Sequence, residues 1–128
     1  LGDVYKRQDN GRKPEWYDKI ITGDLGLVGK DILLDITRSK GYDIADRYMD
    51  CGIEIYSREQ DIQAGGSGCG CSASMLAGYI VKMLENGTWQ RVLFVPTGAL
   101  LSPVSFNEGD SVPGIAHAVV FECSGESQ

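Results

Sequence analysis

The segment Ala64-Gly65-Gly66-Ser67-Gly68-Cys69-Gly70-Cys71 constrains this chain more than any other. Four glycines fall within eight residues, and the apolar stretch Ser72 to Leu84 (SASMLAGYIVKML) follows directly. Glycine adopts backbone angles that side chains forbid, and it lets another chain or a ligand approach the main chain closely. The stretch after it has no polar face before Lys82, so it reads as a helix buried on all sides. Its small residues Ser72, Ala73, Ser74, Ala77 and Gly78 permit close neighbours, and Asn86-Gly87 stops it.

The remaining elements arrange themselves around that unit. Asp18 to Thr22 (DKIIT), after Tyr17, reads as a short buried strand ending at Gly23-Asp24. The loop Gly23 to Gly26 then feeds a helix. Val28, Ile32 and Ile36 recur at i, i+4 and i+8 with Leu33 beside them, which predicts the inward face. Lys30, Asp31, Asp35 and Arg38 take the other faces, and Lys40-Gly41 closes the helix. Strand, loop and amphipathic helix make half of a βαβ unit. Ile53 to Tyr56 alternates apolar and polar residues, as a short strand or extended edge does. Arg91 to Val95 (RVLFV) is a continuous apolar run, expected of a central strand with both faces covered. Loops are expected at Pro96 to Pro103 and at Phe106 to Pro113. Ile115 to Glu122 reads as the last strand, with Ile115, His117, Val119 and Phe121 on one face and Ala116, Ala118 and Val120 on the other. Trp16 and Trp89 flank strands and read as aromatics at the edge of the core. The order predicts an α/β fold whose three or four strands cannot complete a core by themselves.

Composition narrows the function classes. At 128 residues the chain is one domain's worth. Twelve basic against 18 acidic residues give a net charge of −6 with no basic cluster, which excludes a nucleic-acid partner. No run approaches the ~18 apolar residues of a membrane span. Nothing at the N-terminus reads as a signal peptide, so a cytoplasmic location with free thiols is expected. Cys51, Cys69, Cys71, Cys123 and His117 lack the paired spacing of a zinc site, so neither a metal nor another cofactor is expected. Cys69 and Cys71 have no Lys, Arg or His near in sequence to activate a thiol, and read as small packing residues. His117, among apolar neighbours, reads as a core histidine. Asp24 either faces a cleft or caps the next helix. Residues 1–8 (LGDVYKRQ) have no apolar period and read as a translated adapter or cloning scar, leaving 9–123 as part of a domain and 124–128 as a tail.

Several separated motifs carry a family resemblance. They are the glycine segment with Ser72-Ala73, then Thr97-Gly98-Ala99-Leu100-Leu101-Ser102-Pro103, then Ile115-Ala116-His117-Ala118-Val119-Val120-Phe121-Glu122. Ile21-Thr22-Gly23-Asp24-Leu25 and Asp50-Cys51-Gly52 add to them. Together they resemble the C-terminal part of the stage V sporulation protein AD family, itself similar to thiolases and ketoacyl synthases. The resemblance implies a thiolase-like α/β half with a mixed five-stranded sheet, here incomplete, and a buried central helix. It implies homodimerisation of the full-length protein, and a sporulation role in moving dipicolinic acid into the forming spore. Other spore membrane-channel proteins would be partners, with peripheral attachment to the forespore membrane through them.

On that alignment Ser67 stands where thiolases carry a catalytic His, and the later thiolase Cys has no counterpart within Val95 to Gly98. A serine hydroxyl does not take a thiol proton near neutral pH, whereas a His with a pKa of ~6.5 does. No catalytic residue is therefore assigned. Gly65, Gly66, Ser67, Gly68, Cys69, Gly70, Cys71 and Ser72 are the expected ligand wall, with a helix N-terminus behind them. The ligand would be dipicolinate, as the free acid or as its neutral calcium chelate. Equally open is a packing role for these glycines, pressing the helix against a strand. The alternative function is an acyltransferase or condensing enzyme of the thiolase superfamily.

Overall fold

Ile20 and Ile21 sit side by side on the strand Lys19–Thr22 (β1), and both are buried, one on each face of the sheet. That pair sets the architecture seen in the computed structural model, which describes residues 12–57, 59–60, 63–96, 104, 107–109 and 116–123. Residues 1–8 and 124–128, the segment 97–103, Ile115 and most of 106–113 lie outside the described residues.

A helix, Gly26–Ser39 (α1), follows β1 and leads to the strand Tyr48–Asp50 (β2). The short helix Cys51–Glu54 (α2) continues directly from β2. After the glycine segment comes a helix over residues 71–85 (α3), α-helical at Cys71–Met75 and Val81–Glu85 with a π-helical turn, Leu76–Ile80, between them. The strands Arg91–Val95 (β3) and Val119–Glu122 (β4) follow, and a 3-10 turn, Pro14–Trp16, precedes β1. The sheet order is β2-β1-β3-β4. β1 pairs parallel with β2 and with β3, and β3 pairs antiparallel with β4. Over the described residues the chain is thus α/β with a mixed four-stranded sheet, as expected of an incomplete thiolase-like half.

Two apolar clusters cover the two faces. Ile21, Met49, Val92 and Phe94 meet Cys71, Met75, Ile80 and Leu84 of α3 on one side. Ile20, Leu93 and Val95 meet Tyr17, Ile44 and the partly buried Leu34 of α1 on the other. β3 therefore contributes to both clusters, which is why its sequence is an unbroken apolar run. Asp18 fixes the start of β3, its Oδ2 accepting the N–H groups of Gln90 and Arg91 at 2.8 Å each. Trp16 lies under the guanidinium groups of Arg12 and Arg91, 4.2 and 4.5 Å from its ring centre.

Four expectations are corrected. The stripe Val28, Ile32 and Ile36 faces outward, at 65%, 55% and 47% exposure, while Leu34 and Thr37 face the sheet. The buried central helix is buried along one side only, because Ala73, Ser74, Ala77, Gly78 and Tyr79 of α3 are exposed. Ile53 to Tyr56 is no strand: Asp50 accepts the Ile53 N–H and starts α2 there instead. The last strand is shorter than expected, and His117 precedes it on the surface rather than in the core.

Candidate functional site

β1 and β2 are parallel, so their carboxyl ends open on the same edge of the sheet. The chain leaves β1 for β2 on one side and later returns to β3 on the other. A crevice outside such a switch point is where open α/β sheets take ligands. Here that place is occupied by Gly23-Asp24, α2 and the glycine segment.

Asp50, at the end of β2, organises it. The residue is 1% exposed. Its Oδ2 accepts the Thr22 hydroxyl at 2.6 Å and the Leu25 N–H at 3.0 Å. Its Oδ1 accepts the N–H groups of Gly26 at 3.1 Å and Ile53 at 3.3 Å. One carboxylate thereby caps two helices, α1 and α2, and Leu25 supplies no side-chain cap of its own. Because Thr22 gives its proton to Asp50, the Tyr48 hydroxyl donates to Thr22 Oγ1 across 2.6 Å. Burial raises the Tyr48 pKa, the Thr22 bond partly opposes it, and the Asp50 charge adds to the rise. The phenol stays protonated and the chain of donors stays in one direction.

The glycine segment divides into two halves. In the first, the Gly66 N–H donates to the Gly52 carbonyl at 2.6 Å, and the Leu27 N–H donates to the Ala64 carbonyl at 2.8 Å. A Cβ on Gly52 would fall on the Gly66 carbonyl oxygen, and one on Gly66 would strike the Tyr56 ring. These positions are spent on backbone-to-backbone packing. In the second half, a Cβ on Gly68 or Gly70 would meet nothing within 4 Å. Ser67, Gly68, Cys69 and Gly70 are exposed or partly exposed, and the Gly68 N–H donates to Asp24 Oδ2 at 3.3 Å. Cys71 then turns inward to begin α3, its N–H bonded to the Gly68 carbonyl at 3.0 Å. Of the eight expected residues, Gly65 to Gly70 form a loop at the carboxyl ends of the parallel strands, closed at Gly65-Gly66 and open at Gly68 to Gly70, while Cys71 and Ser72 are the first residues of α3.

The Asp24 carboxylate reaches the loop at the Gly68 N–H, and the carboxylate that caps α1 is Asp50. The loop's thiols differ. Cys69 is exposed, whereas Cys71 is buried with its Sγ 3.9 Å from the Gly23 carbonyl. Burial chiefly, then Cys71, Asp50 and Asp24, push the neighbouring Cys51 thiol up to about 12. Burial, then Asp24 and Asp50, also raises Cys71. A thiol held protonated is neither a nucleophile nor a metal ligand. Among the described residues, no group of three or more His, Cys, Asp or Glu side chains is placed to hold a metal ion.

Sequence reasoning missed Asp50 as the organising group. The signal was an Asp three residues before Ile53 at the head of a short apolar turn, the pattern of a helix cap.

A mixed α/β sheet with helices on both faces, and a glycine loop at the carboxyl ends of its parallel strands, matches an incomplete thiolase-like half fold. The family model described as Stage V sporulation protein AD matches residues 4–122. The Stage V sporulation protein AD of Bacillus subtilis (strain 168) is 46% identical over 118 residues, covering 92% of this chain and 35% of that protein. The chain therefore belongs to the stage V sporulation protein AD family, and it spans about a third of the length of that curated relative.

Proposed function

We propose that this chain is the ligand-binding portion of a catalytically silent, thiolase-fold sporulation protein that binds dipicolinic acid and assists its uptake into the developing spore. The observation carrying the reading is the half-open glycine loop. Gly68 to Gly70 stand clear at the sheet edge, with the α3 N-terminus behind them. The thiols next to the loop that are buried, Cys51 and Cys71, are held in the unreactive form. Ser67, where a thiolase His would stand, offers no base at neutral pH.

Charge favours the calcium chelate as the form bound. The chain carries −6 overall, and Asp24 and Asp50 lie beside the loop. A free dicarboxylate would meet that field, while a neutral chelate would not. The full-length protein would act as a homodimer with other spore membrane-channel proteins, held at the forespore membrane through them. No helix among the described residues is long and apolar enough to cross a membrane.

A thermal-shift titration of the full-length protein tests the reading. Saturable stabilisation by calcium dipicolinate, with none by acyl-CoA, is expected. Stabilisation by acyl-CoA alone would move the assignment to an acyltransferase or condensing enzyme.

A further inference from the structure

A cavity opens beside Gly65, apart from the open half of the glycine loop, none of whose residues Gly68 to Gly70 lines it. It holds about 420 Å³, within the size range of small-molecule sites, and lies between the first turns of α1, helix α2 and the residues Gln63, Ala64 and Gly65. Its apolar lining is Leu27, Ile53 and Tyr56, with Leu27 and Tyr56 left 47% and 45% exposed. Lys30 and Glu54 line it as opposite charges. Among the described residues, neither is joined to a protein group by an ion pair. Gln63, at its rim, has φ of +53°, the left-handed region that non-glycine residues rarely adopt. Behind it, the Leu27-to-Ala64 and Gly66-to-Gly52 hydrogen bonds tie the neighbouring segments together.

We propose that this cleft binds a small zwitterion with an apolar body, its carboxylate on Lys30, its ammonium on Glu54 and its body against Leu27, Ile53 and Tyr56. The chemistry selects this class. A simple anion would leave Glu54 opposed to it, and a simple cation would leave Lys30 opposed. A neutral apolar molecule would engage neither charge. A ligand carrying both charges satisfies each and covers the exposed apolar wall.

Calorimetric titration of the full-length protein with L-phenylalanine tests the proposal, alongside 3-phenylpropanoate, which lacks the ammonium, and 2-phenylethylamine, which lacks the carboxylate. L-Phenylalanine is expected to bind saturably and each analogue about tenfold more weakly or worse. Lys30→Gln should abolish the preference over 2-phenylethylamine, and Glu54→Gln the preference over 3-phenylpropanoate. Circular dichroism should show both variants folded, since neither side chain is buried. Absence of saturable binding, equal binding of all three compounds, or preferences unchanged in the variants would overturn it. The outcome is separable from the dipicolinate reading, because Gly70 does not line this cleft and Gly70→Ala leaves these preferences in place.

Discussion

Removing the Asp50 carboxylate strips three backbone N–H groups and the Thr22 hydroxyl of their acceptor in a site closed to water. A lost cap and lost bonds to a charged, buried group predict that Asp50→Ala costs about 3 kcal/mol, read from urea-denaturation midpoints. The glycines should separate by role. Gly52→Ala sets a Cβ onto the Gly66 carbonyl and should cost about 2 kcal/mol or more, since two backbones must part. Gly70→Ala has open space and an ordinary backbone angle, so its stability change should stay within about 0.5 kcal/mol. Its expected effect is a weaker thermal shift with calcium dipicolinate, and an unchanged shift would count against the open half of the loop as a ligand wall. The thiols give a pH prediction. Cys51 keeps its proton in the folded chain up to about 12, from an ordinary value of 9.0, and Cys71 and Tyr48 shift the same way. Above pH 9 the unfolded chain gives up these protons first, so the folded state binds more of them and stability falls as pH rises toward 12. Urea midpoints taken at pH 8 and pH 10 should show the drop.

Helix α1 shows what a period of 3.6 does and does not settle. Val28, Ile32 and Ile36 form a proper apolar stripe, and it correctly marks the segment as helical. Which side of that helix meets the sheet is decided by its anchored ends. Asp50 holds Leu25 and Gly26, and the Thr37 carbonyl accepts the Tyr42 N–H at 2.9 Å. The rotation so imposed turns Leu34 inward and the stripe outward. Leu34→Ala should therefore cost about 2 kcal/mol, and Ile32→Ala less than about 1 kcal/mol, in the same denaturation assay. A reversed order would mean that the stripe is the packed face. Helix α2 makes a similar point, since the alternation of Ile53-Glu54-Ile55-Tyr56 looks like a strand until a capping Asp50 arrives at its head.

Across the described residues, the exposed apolar stripe of α1 and the exposed side of α3, which carries Ala73, Ala77 and Tyr79, lie on opposite faces of the sheet. Surfaces of that kind associate in water. Residues 9–128 produced alone are expected to self-associate, with a mass from light scattering that rises with concentration. Replacing Ile32 and Ile36 together by Lys should lower it. A concentration-independent monomer mass would show that these faces are too small or too separated to pair.

By itself the sequence determined the features whose cause is local. The apolar run of β3, the β1 strand before Gly23, the helical periods of α1 and α3 and the glycine loop all depend on neighbours within a few residues. Tertiary structure decided what depends on residues far apart in the chain. Asp50 meets its partners Thr22, Leu25 and Gly26 across 24 to 28 residues. The same holds for the division of the glycine loop, since only contact with Gly52 and Tyr56 shows which glycines are already filled by protein. A hydrophobic period states that a helix has an apolar side, but it carries no information about what lies opposite; only the packed sheet supplies that.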